Sequence, residues 1–215
     1  MAASRIILAD ESGAASQYIS ELRDIHIHRD RARTRLNLRR IGWDMALRIS
    51  HMLPCIEQEV QTPHGTARCS VFSSYPVIAT IMRAGLPFQE GFLDVFDKSD
   101  CAFIGASRAE SGIDLGYAAS GDLTGRTLIL VDPMLATGSS ILRTLDCLRR
   151  FGSWAALHVC CVIASEQAKS YLYNSLPDAH IWIGAVDPGL NDLKEIVPGL
   201  GDAGDLSFGE KIKPA

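Results

Sequence analysis

The stretch Leu128–Ser140, LILVDPMLATGSS, joins a strand-like apolar run, an acidic residue at its end, a turn of small residues and the start of a helix. The chemistry that suits such a string is the binding of a sugar phosphate. The first N–H groups of a helix lack intrahelical acceptors, and the helix dipole favours an anion beside them. Gly138 permits close backbone approach, while Thr137, Ser139 and Ser140 add hydroxyls around a phosphate. Asp132 would repel that phosphate, but it can accept from sugar hydroxyls. The string is not a Walker A loop, because no Gly-Lys-Ser/Thr follows, and it lacks the spacing of a dinucleotide fingerprint. A serine-capped connection would explain TGSS alone; it does not explain the whole string.

Two arginines sit where they could meet the same ligand. Arg83 follows the apolar run PVIATI, at the carboxyl end of a strand, where open α/β sheets bind ligands. Its guanidinium is a planar, permanent cation suited to phosphate oxygens. Arg108 follows CAFIGAS and enters a polar, glycine-punctuated segment, Arg108–Gly121, with no clear period. The tail VPGLGDAGD packs three glycines, a proline and two aspartates into nine residues, which by composition alone reads as a surface loop. A third group of cations, Arg29, Arg31, Arg33, Arg35, Arg39 and Arg40, falls within twelve residues. It reads as an RNA or nucleotide patch, or as a solvated helix flank or subunit contact. The acidic balance of the chain favours the second.

The elements that must position these residues can be read from periodicity. Leu38, Ile41, Met45, Ile49 and Met52 recur at helical spacing, giving a helix over Leu36–Ser50 closed before Pro54. EQEVQT and ARCSVF, divided by Pro63-His64-Gly65, form a β-hairpin arm. Short apolar runs then alternate with helical stretches: PVIATI before Phe88–Phe96, TLILVD before Ile141, Leu145 and Leu148, WAALHVCCVIAS before Glu166–Ser175, and finally HIWIGAV. Buried strands alternating with helices imply a mostly parallel α/β sheet flanked by helices. The chain reads as a single domain over 1–215, with an amino-terminal arm over 1–35.

Composition narrows the function classes. The 215 residues, 47% hydrophobic and 21% charged, suit one globular core. No run approaches the roughly 20 apolar residues of a spanning helix, and no signal-peptide pattern opens the chain. With 21 Lys+Arg against 25 Asp+Glu and a pI near 5.8, general nucleic-acid affinity is disfavoured. The cysteines Cys55, Cys69, Cys101, Cys147, Cys160 and Cys161 form no C-x-x-C, and the six histidines show no dense ligand spacing. Reduced thiols, a cytoplasmic location and no protein-caged metal are expected.

The string Asp132–Ser140 resembles the phosphoribosyl diphosphate (PRPP) motif of the type I phosphoribosyltransferases. Its DPMLATG form, with Pro133 where most of that superfamily has a second acid, is similar to the uracil phosphoribosyltransferase family. IMRAGLPFQEG (Ile81–Gly91) resembles that family's pyrophosphate-loop segment, and EIVPGLGDAGDLSFG (Glu195–Gly209) its uracil-binding carboxyl-terminal hood. The three motifs follow in the family's order, across roughly residues 36–211.

The resemblance implies the type I phosphoribosyltransferase fold with a small hood over 187–215, and the reaction of uracil with PRPP to give UMP and diphosphate. It implies PRPP contacts from Arg83, Arg108, Asp132, Pro133, Met134, Leu135, Ala136, Thr137, Gly138, Ser139, Ser140 and Asp202. Uracil would be read by Ile196, Gly201, Asp202 and Ala203, with Arg83 and Asp202 as catalytic positions. It also implies Mg²⁺ held mainly through PRPP, a flexible cover formed by the segment after Arg108, a homodimer, and GTP as a candidate effector. The sequence departs from the family pattern at Glu195, Ser139 and Leu206, and in SRAESGIDLGYAAS, which lacks the usual acid and lysine. Two rival readings are a PRPP- or UMP-sensing regulator with an RNA-binding arm, and a transferase for another base.

Overall fold

The computed structural model describes residues 3–109 and 112–211, and side chains outside 107–115. In chain order the elements are β1 (Arg5–Ile7), α1 (Ala14–Arg23), α2 (Arg31–Ser50), β2 (Cys55–Thr62), β3 (Gly65–Phe72) and β4 (Val77–Met82). They continue with α3 (Gly85–Leu93), β5 (Asp100–Ala109), β6 (Gly112–Ala119), β7 (Thr127–Val131), β8 (Met134–Leu135) and α4 (Ser139–Leu148). The last are β9 (Ala156–Ser165), α5 (Glu166–Ser175), β10 (His180–Asp187), β11 (Gly189–Leu190), β12 (Ile196–Val197) and α6 (Ala203–Phe208).

The main sheet runs β1-β10-β9-β7-β4-β5-β6, and β8 extends the pairing along β9. Every neighbouring pair is parallel except β5–β6. The central strands read as unbroken apolar runs because both sheet faces are covered. Adjacent residues of β9 serve opposite layers: Cys160 and Val162 pack with α1, α2 and α3, whereas Val159 and Cys161 pack with α4 and α5. The sheet, flanked by helices on both faces, matches the fold expected from the sequence.

Three expectations need correction. The helix expected over Leu36–Ser50 starts at Arg31, because Asp30 caps it by accepting from the N–H groups of Ala32 and Arg33 at 2.9 and 3.1 Å. The helix expected over Phe88–Phe96 is α3, set earlier at Gly85–Leu93. The segment Arg108–Gly121, without a visible period, contains the antiparallel edge strand β6. The β2–β3 hairpin forms where it was expected, paired from Cys55↔Phe72 to Thr62↔Gly65. Within residues 1–35, β1 pairs with β10 and Ile19 and Leu22 of α1 are buried.

Packing of α2 against α3 sets the position of the loop before α3. A side chain at Gly42 would collide with the Phe88 carbonyl, and one at Gly91 with the Arg39 carbonyl and the Trp43 N–H. The two backbones therefore touch. The arginine stretch on α2 has partners within the molecule. Arg33 grips Glu21 at 2.7 and 2.9 Å, Arg39 grips Asp94 at 2.7 Å through both nitrogens, and Arg35 donates to the Ser207 carbonyl at 2.7 Å.

Near the amino-terminal end of the central strand β9, His158 is buried and stacked on His180 at 4.7 Å, and its Nδ1 accepts from the Trp182 indole at 3.1 Å. Burial, aided by the neighbouring His180, lowers its pKa to about 3. Between about pH 6.5 and pH 3 the unfolded chain takes up a proton that native His158 refuses, so this contribution rises with pH and is complete above 6.5. In His158→Asn the slope of unfolding free energy against pH, measured by urea titration from pH 6 to 4, should fall by about 1.4 kcal/mol per unit. An unchanged slope would exclude His158 as its source.

Candidate active site

The carboxyl ends of β4, β7 and β9 meet the carboxyl-terminal residues at one edge of the sheet. Asp132 leaves β7 with its N–H on the Cys160 carbonyl at 3.1 Å. The Pro133 carbonyl accepts from Val162 and Ile163, β8 runs parallel to β9, and the Ala136 carbonyl accepts from Ser165 Oγ at 2.6 Å. Ser165 also caps α5 through the Ala168 N–H at 2.9 Å. Backbone contacts to β9 thus fix the loop before it turns. Gly138, at φ 77°, makes that turn, and Ser139 and Ser140 begin α4. The Thr137 and Ser139 hydroxyls lie 2.9 Å apart at the mouth of the helix. This is a rigid cradle of N–H groups and hydroxyls, suited to a phosphate.

Arg83 stands just beyond β4, after a cis Met82–Arg83 peptide. Its Nη2 donates to Asp205 Oδ1 at 2.7 Å and its Nη1 to the Gly209 carbonyl at 3.3 Å; its Nε is buried and has no partner among the described residues. Across from it, the β11–β12 ribbon leads through a cis Val197–Pro198 bond and the left-handed Gly199 and Gly201 into α6. Asp202 caps α6, accepting from the N–H groups of Gly204 at 2.8 Å and Asp205 at 3.0 Å. The Ala203 N–H meets Met134 Sδ at 3.3 Å.

Of the residues singled out from the sequence, Arg83 and the Asp132–Leu135 segment therefore meet the Asp202–Asp205 turn directly. Thr137–Ser140 follow at the start of α4, Gly201 precedes the turn, and Ile196 is buried beneath it on β12. The backbone of Arg108 lies on β5 opposite Ile113, and its side chain is outside the described residues. Glu195 turns away from the loop, its Oε2 accepting from Asn191 Nδ2 at 2.9 Å. Leu206 packs against the core. Sequence reasoning missed Asp205 and the Gly209 carbonyl, the two partners of Arg83. The second aspartate of GDAGD was the available signal for Asp205.

Asp132 carries the electrostatic anomaly of the site. Burial lifts its carboxyl to about 7, the Asp202 carboxylate pushes the same way, and the Met134 N–H at 3.3 Å opposes them. A carboxyl so placed accepts well from sugar hydroxyls. Among the described residues no three His, Cys, Asp or Glu side chains converge as a metal cage. With Pro133 following Asp132, this donor set suits a cation that brings most of its own oxygen ligands.

The sequence pattern of one family, described as uracil phosphoribosyltransferase, matches residues 9–210. A uracil phosphoribosyltransferase from Porphyromonas gingivalis is 44% identical over 96% of this chain and 99% of its own. One from Pyrococcus furiosus is 31% identical over 95% of this chain and 90% of its own. The solved AQ2163 protein from Aquifex aeolicus superposes with a TM-score of 0.87 at 26% identity, covering 97% of this chain and 100% of that one.

The raised pKa of Asp132 has a cost in stability. The native state holds a proton that the unfolded chain releases, so stability declines as pH rises from about 4 through 7. Asp132→Asn removes that term. Because Asp132 keeps some solvent contact, the variant should be more stable by about 1–2 kcal/mol at pH 8, with the gain vanishing near pH 4. Denaturant titrations at both pH values decide this; a variant less stable at pH 8 would contradict it.

Proposed function

The chain belongs to the uracil phosphoribosyltransferase family, and on that footing we propose that it joins uracil to PRPP, giving UMP and diphosphate. The observation that carries this reading is the meeting of three parts at one sheet edge: the phosphate cradle, Arg83 and the carboxyl-terminal turn. In the reaction the bond from the anomeric carbon to diphosphate breaks, a bond from a uracil ring nitrogen forms, and that nitrogen's proton is released. Positive charge builds on the ribose as in other glycosyl transfers. Asp132 would accept from the ribose hydroxyls, Thr137–Ser140 would hold the 5-phosphate, and Arg83 would stabilise the departing diphosphate.

The base would be read by main-chain groups between Ile196 and Ala203. The Ala203 N–H lies against Met134 sulfur, a weak acceptor that a base carbonyl readily displaces. Mg²⁺ carried on PRPP oxygens would supply further charge neutralisation to the leaving group, and Asp132 is the protein carboxylate placed to face it. A homodimer is the assembly that the family implies. Three of the six arginines that an RNA-binding arm would need, Arg33, Arg35 and Arg39, are bonded to Glu21, the Ser207 carbonyl and Asp94, which favours the enzyme over the regulator.

Two measurements test the reading. With saturating PRPP and magnesium, kcat/KM for uracil should exceed that for cytosine by roughly a hundredfold or more, because cytosine places an amino group against the Ala203 donor and a ring acceptor against a carbonyl. Equal or better turnover of cytosine would remove main-chain readout and the uracil function together. In Arg83→Ala, kcat should fall by about 10²–10³, more than uracil affinity, since its partner is the diphosphate as charge develops. Loss of uracil affinity with full turnover at saturation would place Arg83 in the base pocket instead.

A further inference from the structure

Arg23, the last residue of α1, and Asp187, the last residue of β10, form a closed network with the backbone of one residue of the loop that precedes α6. Arg23 Nη1 and Nη2 grip the two Asp187 oxygens at 2.9 and 2.7 Å. Both groups also bond Gly199: its N–H donates to Asp187 Oδ2 at 2.8 Å, and its carbonyl accepts from Arg23 Nη1 at 3.0 Å. Asp187 is buried, with 5% of its side chain exposed, and Arg23 retains 25%. Gly199 has φ 62°, and a side chain there would collide with the Ile196 carbonyl, so the peptide sits in a tight turn that only glycine fills without strain.

This network holds both backbone polar groups of a single residue, and so the two peptide units that flank it, two residues before Gly201 and four before Ala203. A surface loop of this composition would otherwise sample many backbone states. We propose that Arg23 and Asp187 are positioning residues for the base: by fixing the Gly199 peptide they set the spacing of the main-chain donor and acceptor at Gly201 and Ala203, and hence the preference among bases. The proposal rests on the base-reading role assigned above to that loop. Neither side chain needs to touch substrate. The planar fork of Arg23 fits a carboxylate and a carbonyl at once, a geometry that a lysine cannot reproduce.

The test compares the unaltered full-length chain with Arg23→Lys, Arg23→Gln and Asp187→Asn, in steady-state kinetics with uracil and cytosine at saturating PRPP. Misplacement of a reading group by a fraction of an ångström weakens base binding without touching the leaving-group end. KM for uracil should rise about tenfold in Arg23→Gln, with KM for PRPP and kcat within about twofold, and the uracil-to-cytosine ratio should drop about tenfold. Arg23→Lys should fall between, since it keeps the charge and loses the fork. A loss of thermal stability or of active fraction with unchanged uracil KM and base ratio would reduce the network to a structural tie and overturn the proposal. So would a parallel rise in both KM values.

Amide hydrogen exchange at Gly199–Ala203 supplies a readout independent of turnover, and it covers a variant that folds too poorly for kinetics. Exchange should be slow in the unaltered chain and faster in Arg23→Lys. Free-peptide exchange rates in the unaltered chain would overturn the proposal. Protected exchange lost in the variant, in a chain that does not turn over uracil at all, would instead overturn the base-reading role while leaving the clamp standing.

Discussion

The Arg83 guanidinium, at the end of β4, is held in this protein by the carboxyl-terminal turn, through Asp205 and the Gly209 carbonyl. Arg83 and Asp205 are joined at 2.7 Å, yet 36% and 30% of their side chains remain exposed. Solvent screens such a pair, so it orients the guanidinium without binding it tightly enough to compete with a multiply charged phosphate. The carboxyl-terminal turn depends on the same contacts. Helix α6 has six residues, too few to be stable alone. Its carboxyl end is fastened by Arg35 at the Ser207 carbonyl and by Arg83 at the Gly209 carbonyl, while Asp202 closes its amino end. Order in the carboxyl-terminal turn and the aim of Arg83 are therefore one problem, solved by guanidinium groups from the body of the molecule.

Two titratable groups with displaced pKa values, one within the sheet and one at its carboxyl end, answer different demands. His158, under stacked His180 and bonded to Trp182, is a satisfied interior residue whose neutral form completes the packing. Asp132 is a carboxyl held in a place that penalises its charge, with Asp202 beside it. Only an external partner, such as a pair of sugar hydroxyls, relieves that placement. Destabilised polar groups of this kind gather where a protein binds or transforms something.

Much of the fold was legible because its central strands are buried on both faces. TLILV and ALHVCCVIAS admit no other element of that length, and the adjacent Cys160 and Cys161 do face opposite layers. The phosphate cradle was equally readable, since its chemistry lies in consecutive residues. What stayed hidden had other causes. The first turns of α2 are mostly polar and exposed, so hydrophobic periodicity could not mark them, although Asp30 was a cap signal in plain view. Strand β6 lies at an edge, where alternation is weak. The network of Arg23, Asp187 and Gly199 spans up to 176 positions in sequence, and no local pattern announces a contact of that range.

Strand β1 has three residues, yet it covers one flank of β10, the strand that ends in Asp187. In practical terms this bears on how the polypeptide can be shortened for expression. A version begun at Leu36, near the start of the long helix α2, would strip the hydrogen-bonding flank from Ile181, Trp182 and Ile183 and leave it open to other chains. It would also lack Arg23 and so leave the Asp187 carboxylate without its countercharge. Such a fragment would be prone to associate through that bare flank, and trimming the amino terminus would damage both solubility and the loop that Asp187 anchors.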